Sequence, residues 1–316
     1  MSHKSDNYHG LLLLSKPGGI SSHDAVDRVR KILSQRSVGH AGTLDPAAEG
    51  LLIMLLGKAT KIAQYLTNQD KEYEAEISLG QTSSTYDAEG VDSSIEPKPV
   101  PKLSADQLEQ LLSDFRGAIT QKVPPISAVH VDGERLYRKT RRGEKVDTPE
   151  RNIRIDSLEV IGFDETRIRI RLTCSKGTYV RSLAHDIGER LGCGGYLSYL
   201  KRTRSGKFGL KEALTLENIE QLQQTNELSE TLLSIDQTLD FSSVTVNESF
   251  QGQVQYGRRP RGADITGVDG DFQLGDNVLL KNQRGIVLAI GTAVVAATGL
   301  TAEPQHEVIK YNRVFS

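Results

Sequence analysis

The segment Gly39-His40-Ala41-Gly42-Thr43-Leu44-Asp45-Pro46-Ala47-Ala48-Glu49-Gly50 constrains this chain more than any other. The residue before a proline is pushed out of the α region, so Pro46 holds the Asp45 backbone extended, while Gly42 and Gly50 admit sharp bends on either side. The apolar run Leu51 to Leu56 that follows reads as a buried strand. A stiff loop with one carboxylate therefore leads straight into the core. Local chemistry alone reads Asp-Pro as a turn whose carboxylate caps backbone N–H groups. The alternative is that Asp45 is a nucleophile, with His40 close before it.

The rest of the chain reads as a mixed α and β pattern. Val26, Val29, Ile32 and Leu33 recur at helical spacing behind Ser22, a candidate cap. Lys71 to Gly80 alternates, with Tyr73, Ala75, Ile77 and Leu79 on one face and Glu72, Glu74, Glu76 and Ser78 on the other, which predicts a half-exposed strand. Ser104 with Gln107 forms a capping box ahead of Leu108, Leu111, Leu112 and Phe115. Arg167 to Cys174 alternates as a second strand. Tyr179 to Leu191 carries Val180, Leu183, Ala184 and Ile187 at helical spacing, with Gly192 as its stop. Thr231 to Leu239 predicts a last helix. Beyond Asn247 short apolar runs take over (277–280, 285–290, 292–297 and 308–314), separated by turns such as Asn282-Gln283. The expected fold class is α+β, with a larger domain over 1–246 and a small β-rich domain over 247–316.

With 37% hydrophobic and 25% charged residues the 316-residue chain is an ordinary globular sequence. A formal net charge of −2 gives no global attraction for a polyanion, so nucleic acid would need a local basic surface. Between Arg135 and Arg154 eight basic residues face three acidic ones, and a second cluster holds Lys201, Arg202, Arg204, Lys207 and Lys211. Such runs are either solvated faces or a stripe that meets RNA. Cys174 and Cys193 are the only cysteines, without companion histidines at ligand spacing, so neither a disulfide framework nor a zinc site is expected. Leu11 to Leu14 is too short for a secretory core and no apolar run spans a bilayer, which predicts a cytoplasmic protein.

The Gly42-Thr43-Leu44-Asp45-Pro46 loop closely resembles the catalytic motif of the TruB family of tRNA pseudouridine synthases. Further stretches are similar to that family in the same order: Ser15-Lys16-Pro17-Gly18-Gly19-Ile20-Ser21-Ser22, Lys71-Glu72-Tyr73-Glu74-Ala75, Pro124-Pro125-Ile126-Ser127-Ala128 with Gly133 and Tyr137, Ser175 to Leu183, and Arg202-Thr203-Arg204-Ser205-Gly206. They cover roughly the first 210 residues, and six motifs in sequence are specific where one would be weak. The C-terminal segment, with Gly-Arg-Arg-Pro-Arg at 257–261, more weakly resembles the PUA-like RNA-binding module of bacterial members. Two positions depart from the pattern: His130 stands where a lysine is usual after Ser127-Ala128-Val129, and Glu49 where a threonine is common.

The resemblance implies a catalytic domain with a mixed, mainly antiparallel sheet flanked by helices, and an isomerase that converts uridine 55 in the TΨC loop of tRNA to pseudouridine. That reaction breaks the C1′–N1 bond, turns the base and rejoins it through C5, with no cofactor. The uridine must be extruded from its stack, at a cost of about a few kcal/mol, into a pocket that takes the freed ring. A carboxylate then engages the nucleotide, by bonding at C1′ or C6 or by assisting proton loss at C2′, and a base removes the C5 proton. By resemblance Asp45 is the essential carboxylate. Arg181 is the cation that keeps it ionised, and bidentate pairing suits it. Tyr73 stacks on the uracil and takes the C5 proton, its pKa lowered by Arg181. His40 lies against the RNA where the base has left, and Leu200 lines the uracil pocket. Lys16, Tyr137, Arg141, Lys176, Tyr179 and Arg202 complete the expected RNA contacts, with Lys16 also supporting the active-site loops. The expected partner is the tRNA T-stem-loop, bound by a monomer with no obligatory protein partner and no membrane.

Two other readings stay open on the residues alone. A non-catalytic tRNA-binding module would use the same basic surface without needing Asp45, Arg181 and Tyr73 together. A glycosidase would want a second carboxylate flanking the bond, for which Glu49 is the near candidate. A nucleotide enzyme is disfavoured, because Gly192-Cys193-Gly194-Gly195 follows a helix instead of a strand.

Overall fold

The computed structural model describes residues 8–127, 129–131, 133–136, 142, 147–300 and 304–315. Tyr137 and Arg141 lie outside them, as do four of the eight basic residues of the 135–154 run, Arg141 among them. Strands β1 (Gly10–Lys16), β2 (Val38–Ala41), β3 (Glu49–Leu56), β4 (Lys71–Leu79), β5 (Gly117–Lys122), β8 (Glu150–Phe163), β9 (Arg167–Cys174), β10 (Gly195–Ser205) and β11 (Phe208–Gly209) make one nine-stranded sheet. Its main path runs β1-β3-β10-β4-β9-β8-β5, and a two-stranded hairpin, β6 (His130–Val131) with β7 (Glu134–Arg135), stands apart. Every pairing in the large sheet is antiparallel except β3 with β10. A second sheet of five strands, β12 (Ser243–Val246), β13 (Ile265–Asp269), β14 (Asn277–Lys281), β15 (Val287–Ala293) and β16 (Ile309–Val314), forms the small β-rich domain expected at the C-terminus.

Apolar residues decide how the layers stack. Helices α3 (Ala105–Ser113) and α4 (Val180–Arg190) bury Leu108, Leu112, Leu183 and Ile187 against Ala75, Ile77, Ile170 and Leu172. Helices α1 (Ser22–Leu33) and α5 (Leu216–Gln224) cover the even-numbered residues of β1 and β3. Their odd-numbered residues, with α2 (Ala63–Thr67), pack in a third cluster that also takes in Leu279, Ile290 and Phe315 of the small domain. Strands β1 and β3 are thus apolar on both faces, as continuous runs of leucine require. Tyr73 and Leu200 belong to the rims of the first two clusters at once, so they mark the seam between them.

Three local expectations change. Ser21, not Ser22, caps α1, through a capping box with Asp24, and Ser22 is buried in the first turn. The last helix shrinks to α6 (Ile235–Thr238), because Leu233 pairs in extended form with Leu11 and interrupts the run. The smaller sheet begins at Ser243, ahead of the expected boundary at Asn247. Polar, irregular residues after Phe241 hid a strand whose Val244 and Val246 are fully buried.

Candidate active site

The loop from Gly42 to Ala48 is pinned from three directions. From the end of β1, buried Lys16 donates its Nζ to the carbonyls of Pro17 (2.8 Å), Ile20 (2.8 Å) and Pro46 (3.4 Å). From α1, the Ser22 hydroxyl donates to the Leu44 carbonyl at 2.9 Å and accepts from its N–H at 2.8 Å. From β10, Arg202 donates to the carbonyls of Leu51 (2.7 Å), Gly42 (2.8 Å) and Thr43 (3.3 Å). Gly50 makes the third anchor possible: its φ is +100°, and a Cβ there would overlap the Arg202 backbone in the parallel pairing of β3 and β10. Gly42, at φ +88°, gives the loop its other bend.

This frame leaves the Asp45 carboxylate 44% exposed and 2.9 Å from Nε of Arg181, whose side chain is only 7% exposed. Arg181 has further partners for its other nitrogens. Its Nη1 lies 3.2 Å from the Asp87 carboxylate and donates to the Thr85 carbonyl at 3.2 Å, and its Nη2 donates to the Ile126 carbonyl at 3.1 Å. A buried guanidinium surrounded this way is fixed in orientation, and its pairing with Asp45 sits at a surface-facing edge where a substrate can reach it.

Tyr73 and Arg202 are direct cross-strand partners on β4 and β10, and Leu200 faces Ala75 two residues away on the same side. Burial pushes the Tyr73 phenol above its ordinary pKa, with the Arg202 guanidinium opposing that shift. This corrects the sequence reading twice: the cation beside Tyr73 is Arg202 instead of Arg181, and the net direction is upward. His40 sits half-buried on β2 opposite Met54, with its pKa lowered by burial and then by Arg202, and its Nδ1 is buried without a hydrogen bond. Tyr179 precedes α4, its N–H and carbonyl both held by Gln121 (2.8 and 3.0 Å) and its ring under the Arg151 guanidinium at 5.9 Å. Lys176 is exposed in the loop before it and donates to Asn68 at 2.9 Å.

Two expected RNA contacts are corrected. Arg202, at 1% exposure, spends its guanidinium on loop carbonyls and offers nothing to a ligand outside. Lys16, also 1% exposed, keeps only its loop-supporting role, and burial lowers its pKa despite Asp45 and Glu49 nearby. The second basic cluster is largely neutralised as well: Lys201 pairs with Glu49, Arg204 with Glu72 and Lys207 with Asp240. Glu49 also accepts from the Tyr199 hydroxyl, so it is bound up on the strand face. The carboxylate that shares a cation with Asp45 is Asp87, which the sequence reading missed. Its only sequence signal is position in a turn-rich stretch, where aspartate is the usual local cap. The inward position of Arg202, which the sequence reading had made an RNA contact, could have been found: alternation on β10 puts it on the same face as Leu200.

Among the described residues no group of three or more His, Cys, Asp or Glu side chains is placed to hold a metal ion. Cys174 and Cys193 are buried and unpaired, and burial pushes the Cys174 thiol up to about 11. No helix among the described residues is long and apolar enough to cross a membrane.

Over nearly its whole length the chain has the fold of the Cbf5 proteins. It is similar to a chain of an H/ACA ribonucleoprotein bound to a substrate RNA containing 2′-deoxyuridine (TM-score 0.74, 24% identity, covering 98% of this chain and 85% of that one). It is similar also to a chain of a Cbf5–Nop10–Gar1 complex (TM-score 0.73, 24% identity, covering 100% and 91%). Fold and site together thus define a two-domain protein built around a carboxylate held by a buried arginine. Sequence carries the assignment further. Residues 30–180 match the TruB family pseudouridylate synthase N-terminal domain, and residues 181–240 the tRNA pseudouridylate synthase B C-terminal domain. The chain is 47% identical over 213 residues to tRNA pseudouridine synthase B of Opitutus terrae, covering 67% of this chain and 88% of that protein. Its identity to the protein of that name from Xanthomonas axonopodis pv. citri is 41% over 257 residues, covering 81% and 83%. The chain belongs to the TruB family of pseudouridylate synthases.

Proposed function

We propose that this protein isomerises uridine 55 in the TΨC loop of tRNA to pseudouridine, with Asp45 as the essential carboxylate. The observation that carries the reading is the 2.9 Å pairing of Asp45 with the buried Arg181, at the seam where Tyr73 and Leu200 meet. An extruded uridine enters that seam with its ring against Tyr73 and Leu200, and a stem-loop suits recognition by backbone shape and splayed bases. Asp45 engages the nucleotide while the C1′–N1 bond breaks, held in place by its pairing with Arg181. After C1′–C5 rejoining, Tyr73 takes the C5 proton. A raised phenol pKa makes the phenolate scarcer and each phenolate a stronger base.

Lys176, Tyr179 and His40 are the RNA contacts this reading keeps among the described residues, and Tyr137 and Arg141 extend it outside them. The five-stranded domain serves as a PUA-like RNA-binding module, and the reaction needs neither cofactor nor protein partner. The test is an unmodified tRNA transcript incubated with wild type or Asp45→Asn, with pseudouridine mapped by position. Wild type should modify position 55 without additives and Asp45→Asn should leave it as uridine. Modification elsewhere, or an active Asp45→Asn, would overturn the assignment.

A further inference from the structure

The Arg181 guanidinium draws two of its four contacts from one short segment, the Asp87 carboxylate and the Thr85 carbonyl. Between them lies Tyr86, a non-glycine residue at φ +64°, a conformation that persists only where the surroundings enforce it. The surroundings are visible. The Tyr86 ring stacks on His185, with centroids 3.9 Å apart and planes within 7°. Its carbonyl accepts from the Leu197 N–H at 3.0 Å. His185 lies one helical turn after Arg181 on α4, so both project from the same side of that helix. The buried Nδ1 of His185 makes no hydrogen bond, so the ring's contribution here is its face.

We propose that Tyr86 and His185 form a clasp that fixes the Asp87 segment to α4 and thereby aims the Arg181 guanidinium at Asp45. They are positioning residues, and both act through Arg181. An aromatic face that packs without polar bonds can be replaced by another aromatic ring and by nothing smaller. A shift of the guanidinium away from Asp45 weakens transition-state stabilisation more than RNA binding, so the loss falls on kcat.

The inference rests on the proposed reaction, and the experiment separates the two. Single-turnover pseudouridine formation is measured for wild type, Tyr86→Ala, Tyr86→Phe and His185→Leu, each alone and with Arg181→Lys, alongside thermal melting. Tyr86→Ala and His185→Leu should each lower kcat about tenfold with KM changed less than about twofold, and Tyr86→Phe should restore the wild-type rate. In the Arg181→Lys background the same substitutions should cost less than about twofold, because the aim they set is already lost. A loss in KM alone, a loss that persists undiminished beside Arg181→Lys, or no loss would overturn the clasp. If Tyr86→Ala melts before assay, His185→Leu opens the stack from the other side and leaves the positive-φ residue intact. In parallel, Nε–H exchange of Arg181 is followed by NMR in arginine-labelled protein. Faster exchange in His185→Leu than in wild type supports the clasp even if the wild type modifies no tRNA, and unchanged exchange overturns it.

Discussion

The motif loop and the C-terminal domain are held together by opposite means. Around Asp45 three long cationic side chains, Lys16, Arg181 and Arg202, are all nearly sealed from solvent, and much of their hydrogen bonding goes to backbone carbonyls. In the five-stranded domain the interior is Val244, Val246, Phe250, Val278, Leu280, Ala289 and their neighbours, without a charge among them. Buried cations cost desolvation and give direction, whereas apolar packing gives stability without direction. The contrast teaches where geometry matters: a carboxylate that must stand exposed at a fixed place needs donors that define the backbone beneath it.

The comparison breaks most visibly at Asp45. Asp45→Asn should cut the rate of pseudouridine formation on the order of 10⁴-fold with an unchanged melting temperature, measured by tRNA modification and calorimetry. Arg181→Lys keeps the charge and loses the fork, so its rate should fall about 100-fold. Arg202→Met sharpens the contrast, since it strands the carbonyls of Gly42, Thr43 and Leu51. It should cost about 3 kcal/mol of stability in urea unfolding and lower the rate of the folded fraction as well. Leu280→Ala, fully buried in the small domain, should cost a similar ~3 kcal/mol and leave the rate within about twofold per folded molecule. If Leu280→Ala slowed the chemistry as much as Arg202→Met, the two regions would not differ as described.

The smallest effect concerns pH. Burial, with Arg202 nearby, lowers the Lys71 pKa from 10.5 to about 8, so between those values the unfolded chain binds a proton that the folded one does not. Stability attributable to Lys71 therefore rises with pH across that window, and is lowest below about 8, where the buried ammonium is charged. Wild type should gain on Lys71→Met in chemical denaturation as pH rises through that window. A flat difference would show that the lysine is not buried as a charge.

Some of this was legible in residues alone. Alternation placed Tyr73 on the inward face of β4, the apolar run Leu51 to Leu56 gave β3, and the glycine-punctuated Asp-Pro loop fell where the carboxylate stands, all set by local sterics and period. Arg202 was read as an RNA contact because of its charge, and its inward face became visible only in the β4–β10 register. The nine residues from Thr231 to Leu239 misread as one helix because Leu233 answers to Leu11, far away in sequence.

The sequence by itself determined which side chains exist at the right local angles: an extended Asp45, a helix that begins just before Arg181, and two strands too apolar to face water. Which cation serves which group was decided only by tertiary structure. Arg181 meets Asp45 and Asp87 because α4 and two separate loops converge, and Arg202 meets Tyr73 because β4 and β10 pair in that register. Those encounters join residues 94 or more positions apart, where no local preference acts and only packing sets the distance.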